Sequence, residues 1–408
     1  MTQQLIDLDT AQPGGKKGDP LRSAFGKAND NFTELYESSE EHGSGLATAL
    51  ATATEALGIG NSAQTAAESA ATAEGTAVTP APWLSETNAQ EALARIAAGQ
   101  FGGLRNRIIN PVFSMGQRGV SFTNVNGYTL DRWRVAKATA TGQIDAQLVT
   151  LEDNLPDGMP ASSLGIQVTV ADTTTTANKL YVIEQKIEGA NVADLIGKPF
   201  YIAFDVISSV PGRYYVSMRN SQSDRSYLMA YDISAAEVWE HKVLKVPNGL
   251  ITAGTWNWTS GIGITLDWVL DIGTTYAGSA ADSWLTGNYL ARSDQAKWMA
   301  TIGNWLELTN VCLAPGTEEE PFELRQRAIE YALCQRYYEI VGTIATADGP
   351  TYDCVYFKVQ KRATPTLTQI GGGSMSPATF QSRDAGYFNI FNRAAAAVAI
   401  TVGADAEL

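Results

Sequence analysis

From about residue 160 to residue 272 the chain alternates apolar and polar side chains with a period of two. Leu164, Ile166, Val168 and Val170 share one face of an extended segment, as do Phe200, Ile202, Phe204 and Val206, and Tyr214, Val216 and Met218. The longest run is Ile262, Ile264, Leu266, Trp268 and Leu270, with Thr265 and Asp267 on the opposite face. Turn clusters at Pro156-Asp157-Gly158, Pro211-Gly212 and Pro247-Asn248-Gly249 separate the runs. Short strands with no helical pattern between them predict a mainly β chain, with an antiparallel jelly-roll-like sandwich over residues 101–316.

The last of these strands begins at Leu306. Leu306, Leu308 and Cys312 are predicted on one face, Val311 and Leu313 on the other, and Pro315-Gly316 ends the strand. Glu318-Glu319-Glu320, followed by Pro321 in a first-helical position, predicts a connecting helix over 317–340 whose positive pole the carboxylates complement. Phe322, Ile329, Leu333 and Tyr337 would form its apolar stripe, and Glu323 would pair with Arg327. A small C-terminal β-domain is then predicted over 341–408. Its strands are Tyr352 to Val359, a second from KRATPTLT, and a last one near 396–402, with Gly371-Gly372-Gly373 as a turn.

The first hundred residues read differently. Asp19 and Pro20 open a helix in which Leu21, Phe25, Ala28, Phe32 and Leu35 repeat at coiled-coil spacing. The same spacing also suits a short amphipathic helix packed on its own domain or a partner. Within the 43–100 region, residues 43–82 are rich in Ala, Thr, Gly and Ser, too poor in apolar surface for one chain to order alone. They are either a flexible linker or, with several copies, an Ala-rich stalk. A helix at 85–99 presents Ala89, Leu93 and Ile96 as a narrow oligomerisation stripe. The first hundred residues carry 13 of the 43 acidic and only 5 of the 29 basic side chains, which suits a solvated helical or coiled-coil shaft.

With 408 residues and a formal net charge of −14, nucleic acid and anionic membranes are poor partners, since phosphate binding needs clustered Lys and Arg. No apolar run reaches membrane-spanning length, so no membrane insertion is expected. MTQQLIDLDT lacks a signal pattern, which predicts folding in a cytoplasm. Cys312, Cys334 and Cys354 are expected to be buried free thiols. His42 and His241 have no His or Cys neighbour at ligand spacing, so neither a metal nor a cofactor is expected.

Catalytic patterns are weak. His241 lies in VWEHKVLKV, away from any nucleophile elbow, and Gly371 to Gly373 do not open a phosphate loop. Asp267, Asp271, Asp282 and Asp294 could supply the two carboxylates of a glycosidase, but spacing does not pair them, and no repeat of about 20 residues marks a β-helix. The expectation is no enzyme and no catalytic residue. Seven of nine tryptophans fall between 239 and 305. Trp268 reads as core. Trp256, Trp258 and Trp284 sit in Gly- and Thr-rich stretches and are the candidate glycan platforms, because an exposed indole offers a flat apolar face with one polar handle; core or inter-chain packing is the alternative, and the commoner fate of a tryptophan.

Several stretches resemble bacteriophage tail fibre proteins. GDPLRSAFGKANDNFTELY (18–36) is similar to their N-terminal motif. LRNRIINPVFSMGQRGVSF and YTLDRWRV are similar to the opening of their β-sandwich module, with Asn110, Gln117, Arg118, Asp131, Arg132 and Trp133 at the matching positions. PFELRQRAIEYALCQRYY, KVQKRATPT and the final ADAEL extend the resemblance over 104–408. On that reading Trp133 enters the core, while Asp131 and Arg118 or Arg132 satisfy one another at the sandwich end. The resemblance implies a virion protein and a homotrimer. Residues 1–42, with Leu21, Phe25, Phe32 and Leu35, would attach to a tail or baseplate protein, and Leu93 and Ile96 would help trimerise a 43–100 stalk. The outer β-domains would bind host cell-surface polysaccharide without cleaving it. A purely structural adaptor or collar fibre, and a depolymerase, are the other two readings.

Overall fold

The computed structural model describes residues 10–11, 23, 26–34, 37, 105–151, 160–345, 351–372, 379–392 and 398–408. The chain divides into two compact units, 1–100 and 101–408. In the first, residues 26–34 are helical and Phe32 stands 65% exposed. Leu21, Phe25, Leu35, Leu93 and Ile96 lie outside the described residues, as does the stretch 43–100.

The second unit opens with the predicted sandwich. One layer orders its strands β1 (Ser121–Phe122), β4 (Gln143–Thr150), β5 (Ser162–Val170), β13 (Trp305–Pro315), β7 (Phe200–Ser208) and β10 (Glu240–Val246). The other runs β12 (Trp284–Thr286), β9 (Arg225–Ile233), β8 (Gly212–Asn220), β11 (Ile262–Ile272), β6 (Leu180–Glu188), β3 (Arg134–Ala138) and β2 (Gly127–Tyr128). All these pairings are antiparallel. The alternating positions meet between the layers, and only Val170 and Ile262, each at a strand end, escape full burial. An aromatic chain crosses this core: Phe113 to Trp133 at 4.6 Å, Trp133 to Trp268 at 5.4 Å, and Trp268 to Phe204 at 5.8 Å between ring centres. Trp133 also donates to Asn110 O at 2.9 Å, so its indole is buried with its polar atom satisfied.

Thr265 and Asp267 do face away from the core, yet both are buried. The reason is a second apolar cluster on the outside of the seven-stranded layer. Val182, Tyr215, Leu228 and Val269 are covered there by Leu290 and Ala291, with Tyr276 and Tyr289 packed alongside.

β13 departs from simple alternation. Its register against β7 shifts between Thr309 and Cys312, and Asn310 sits at φ 54°. The extra residue reverses the phase. Val311 and Leu313 therefore join Leu306 and Leu308 in the core, and Cys312 turns outward, opposite to the predicted faces. β5 pairs only with Trp305 to Leu308. Beyond the bulge that side of β13 is taken by the segment leading into the sandwich: Arg107 N donates to Leu313 O at 2.8 Å, and Val311 N to Pro111 O at 3.0 Å.

The connecting helix is shorter than predicted: α1 spans Arg327–Gln335. Residues 316–326 instead form an extended strap across the outside of the six-stranded layer, and the three glutamates bind side chains rather than a helix pole. Glu318 pairs with Lys245 at 2.6 Å, Glu319 with His241 at 2.9 Å, and Glu320 with Arg105. Phe322 is not on a helix at all; it seals Tyr201, Ala203, Cys312 and Ala314. Ile329 is exposed, while Glu330 is buried, paired to Arg325 at 2.9 Å and accepting from Asn110 N at 2.6 Å.

The C-terminal β-domain begins at Tyr338, before the predicted boundary at 341. Strands β14 (Tyr338–Ala345), β15 (Thr351–Tyr356), β16 (Thr366–Gly372), β17 (Thr379–Ser382), β18 (Tyr387–Asn392) and β19 (Val398–Asp405) make two three-stranded sheets, β14-β19-β16 and β15-β18-β17. Gly371 and Gly372 belong to β16 rather than to a turn, and β19 runs past 402. Val341, Phe357, Phe388, Ile390, Ile400 and Val402 form the core.

The chain's last residues return to the sandwich and change the expected pairing there. Asp131 accepts from Gln117 N at 3.0 Å and Gln117 Nε2 at 2.8 Å. Arg132 pairs with Glu407, and Arg118 with Asp405 at 3.1 Å and Glu407 at 3.3 Å. Both arginines thus bind the tail, not Asp131. A carboxylate already satisfied by amides leaves them free to reach acids on another domain.

Candidate functional site

The structure gathers the three nominated tryptophans. Trp256 and Trp258 stack at 4.7 Å with their planes 8° apart, and Trp284 meets Trp256 edge-on at 5.7 Å. Tyr227 extends the group at 5.4 Å from Trp284. Positions two apart on extended backbone share a side, which brings Trp256 and Trp258 together while Asn257 points away. The Asn257 Oδ1 then accepts from Thr259 N and Thr259 Oγ1, both at 2.9 Å, turning the chain. The cluster lies against β9 and β12, and all three indoles are half-buried, one side on the core and the other toward solvent.

This loop is pinned along its length. Asp224 accepts from Thr255 N at 3.0 Å, Asn220 Nδ2 donates to Thr255 O at 2.9 Å, and Trp256 Nε1 donates to Ala253 O at 2.8 Å. On the far side Gly189 N donates to Gly261 O at 3.0 Å and Ala190 N to Thr259 O at 2.9 Å. A Cβ at Gly189 would stand 1.8 Å from Asn257 O, so only glycine lets the loop seat. The aromatic surface is therefore preformed, which limits the ordering cost of any ligand.

Other tryptophans have other places. Trp268 and Trp298 are in the core, and Trp239 and Trp305 are half-exposed. The nominated carboxylates do not meet. Asp267 is fully buried beside Glu184 and held by Arg219 through two bonds, at 2.7 and 2.8 Å. Burial pushes its carboxyl up to about 6 against the pull of that guanidinium. Asp271 is buried on Lys179 at 2.9 Å, Asp294 accepts from Tyr215 OH at 2.7 Å, and Asp282 is exposed.

His241 on β10 lies between two carboxylates, Nδ1 at 2.6 Å from Asp205 and Nε2 at 2.9 Å from Glu319. Of the cysteines, Cys312 and Cys334 are buried, but Cys354 is exposed, against expectation. It lies on β15 of the small domain, outside that domain's core. Among the described residues no group of three or more His, Cys, Asp or Glu side chains is placed to hold a metal ion. No described helix is long and apolar enough to cross a membrane.

A second surface was not read from the sequence. On the outside of the six-stranded layer, where the strap does not reach, a cavity of about 240 Å³ opens around Gly165 between Gln147, Gln167, Trp305 and Glu307. Trp305 belonged to the tryptophan-rich stretch, but its neighbours come from strands far apart in sequence. Only the strand register unites them.

No family model matches the chain, and no curated protein matches it. Among solved structures it is similar to the carbohydrate-binding module TmCBM61 in complex with beta-1,4-galactotriose, at 10% identity and a TM-score of 0.26 over 52% of this chain and 99% of that one. A putative sugar binding protein from Bacteroides thetaiotaomicron is similar at 13% identity and a TM-score of 0.30, over 52% and 100%. The family 11 carbohydrate-binding module of the cellulosomal cellulase Lic26A-Cel5E of Clostridium thermocellum is similar at 10% and 0.26, over 49% and 97%. The sandwich assignment itself stands on strand order and register.

Proposed function

We propose that this chain is a non-enzymatic fibre protein of a phage virion that binds a bacterial surface glycan through its β-sandwich. The observation that carries the glycan reading is the assembly of Trp256, Trp258 and Trp284 into one preformed, half-exposed aromatic surface. Pyranose rings have flat C–H faces that lie on indoles, and a rigid platform spends little of the binding energy on ordering. The fibre part of the reading rests on the sequence resemblance. In it, the N-terminal region attaches to a tail or baseplate protein, three copies assemble, and the sandwich and small β-domain face outward.

A purely structural adaptor is the second reading. It is favoured by three exposed apolar side chains, Leu324 on the strap and Ile329 and Tyr331 on α1, which a neighbouring virion protein could cover.

The test is saturable binding of the purified full chain to host cells, with released reducing sugar assayed in the same tubes. Binding without sugar release, reduced at least tenfold by Trp256→Ala and Trp284→Ala in folded protein, is the expected result. Sugar release would replace this reading by a depolymerase, and absence of binding would replace it by the adaptor.

A further inference from the structure

The six-stranded layer has an outer face of two halves, and their chemistry differs. Under the strap the face is apolar, with Tyr201, Ala203, Cys312 and Ala314 sealed by Phe322. Beside it, β4, β5 and the first half of β13 lie uncovered. There the register lays out two rows of side chains across the strands. Asp145, Gln167 and Trp305 stand opposite one another in the first row, and Gln147, Gly165 and Glu307 in the second. The middle of the second row has no side chain of its own, leaving a dip that Val149 of β4 partly fills: its Cγ2 lies 2.6 Å from where a Cβ on Gly165 would stand. The cavity of about 240 Å³ is that dip, walled by Trp305.

We infer that this dip is a second saccharide-binding cleft, one that takes a neutral hexose chain. Gln147 and Gln167 are exposed, and their amides make no bond to the protein among the described residues. A planar amide offers a donor and an acceptor side by side, the pattern that vicinal sugar hydroxyls match. Glu307 accepts from Ser163 Oγ at 2.6 Å and has acceptor capacity left for a further hydroxyl. Trp305 supplies an apolar ring at the wall. No lysine or arginine lines the cavity, whereas Asp145 and Glu307 do, so phosphate and uronate groups meet only like charge there. The volume lies below the ~300 Å³ lower end of pockets for drug-sized ligands, a space for one ring of a chain that continues over the open sheet.

The cleft is separate from the tryptophan cluster. Trp305 is on the outside of the six-stranded layer, whereas Trp284 is on β12, the edge strand of the opposite layer. A chain with two such sites binds a repeating polymer more tightly than a single ring, since the second contact is made at raised local concentration.

Calorimetric titration of the full chain with neutral gluco-, galacto- and manno-oligosaccharides, and with oligogalacturonate as the acidic counterpart, tests this. The expected result is binding of at least one neutral series, weak or absent binding of the uronate, and a loss of tenfold or more with Trp305→Ala and with Gln167→Ala. Gln167 is exposed, so its truncation leaves the fold intact and keeps the test valid if Trp305→Ala fails to fold. Saccharide binding that falls with Trp258→Ala but not with Trp305→Ala or Gln167→Ala overturns the cleft and leaves the tryptophan-cluster reading in place. Binding of none of the neutral series also overturns the cleft.

Discussion

Arg132 and Glu407 form a buried ion pair although 275 positions separate them. Arg132 also donates to Lys186 O at 2.5 Å and lies 3.5 Å from the centre of the Tyr337 ring, so it has a place for only one geometry. Removing one partner strands the other charge in a dry site. Glu407→Ala is expected to lower the unfolding free energy by about 3–5 kcal/mol. Urea denaturation measures it, and a loss under about 1 kcal/mol would show that the tail is a passive passenger.

His241 makes the strap sensitive to pH. The bond to Asp205, opposed by partial burial and helped by Glu319, raises its pKa to about 9. A folded value above the ordinary 6.5 means that the stabilisation is complete below about pH 6.5 and is lost as pH rises through about 9. The ring is 44% exposed, so solvent screening holds the effect to about 1 kcal/mol. The urea midpoint should therefore fall between pH 6 and pH 9.5 in the native chain and stay nearly level in His241→Asn. Parallel pH curves for the two proteins would contradict the assignment.

Lys361 and Glu339 are fully buried, and the ammonium also bonds Gln335 O at the end of α1. Lys361→Met leaves Glu339 charged in the core and should cost about 3–5 kcal/mol, whereas Lys361→Met with Glu339→Leu should restore most of it. Thermal unfolding of both variants decides. If the double variant is no better than the single, the pair specifies the packing rather than merely tolerating burial.

Trp268 and Trp258 should separate core from surface. Trp268→Ala opens a cavity between the sheets and is expected to cost about 3–5 kcal/mol. Trp258→Ala removes a half-exposed ring and should cost about 1–1.5 kcal/mol while weakening glycan binding tenfold or more. Paired denaturation and binding curves show the contrast. Equal destabilisation by both would make Trp258 a core residue.

Much of the sandwich was legible because burial on one face forces a period of two, and Ile264, Leu266, Trp268 and Leu270 obey it throughout. The phase of β13 was not, because the bulge at Asn310 inserts a residue without leaving a pattern. Glu318 to Glu320 were misread for a different reason. Carboxylates before a proline suit a helix start, but the nearby cations on Lys245, His241 and Arg105 are visible only once β10 and the lead-in segment are placed. Trp256 and Trp258 could be nominated by local composition, and their stacking follows from spacing. The cleft could not, since Gln147, Gly165 and Trp305 are joined by register alone.

The lead-in segment beside β13 has a mechanical consequence. Tension arriving at Arg105 is handed through Arg107 and Pro111 to a strand that β7 flanks along nearly its whole length, in the middle of the six-stranded layer. An edge strand under load peels bond by bond, but here the pull is delivered to an interior strand whose neighbours share it. A pull on the entering chain would strain the sheet as a body before it could unravel the sandwich from its rim.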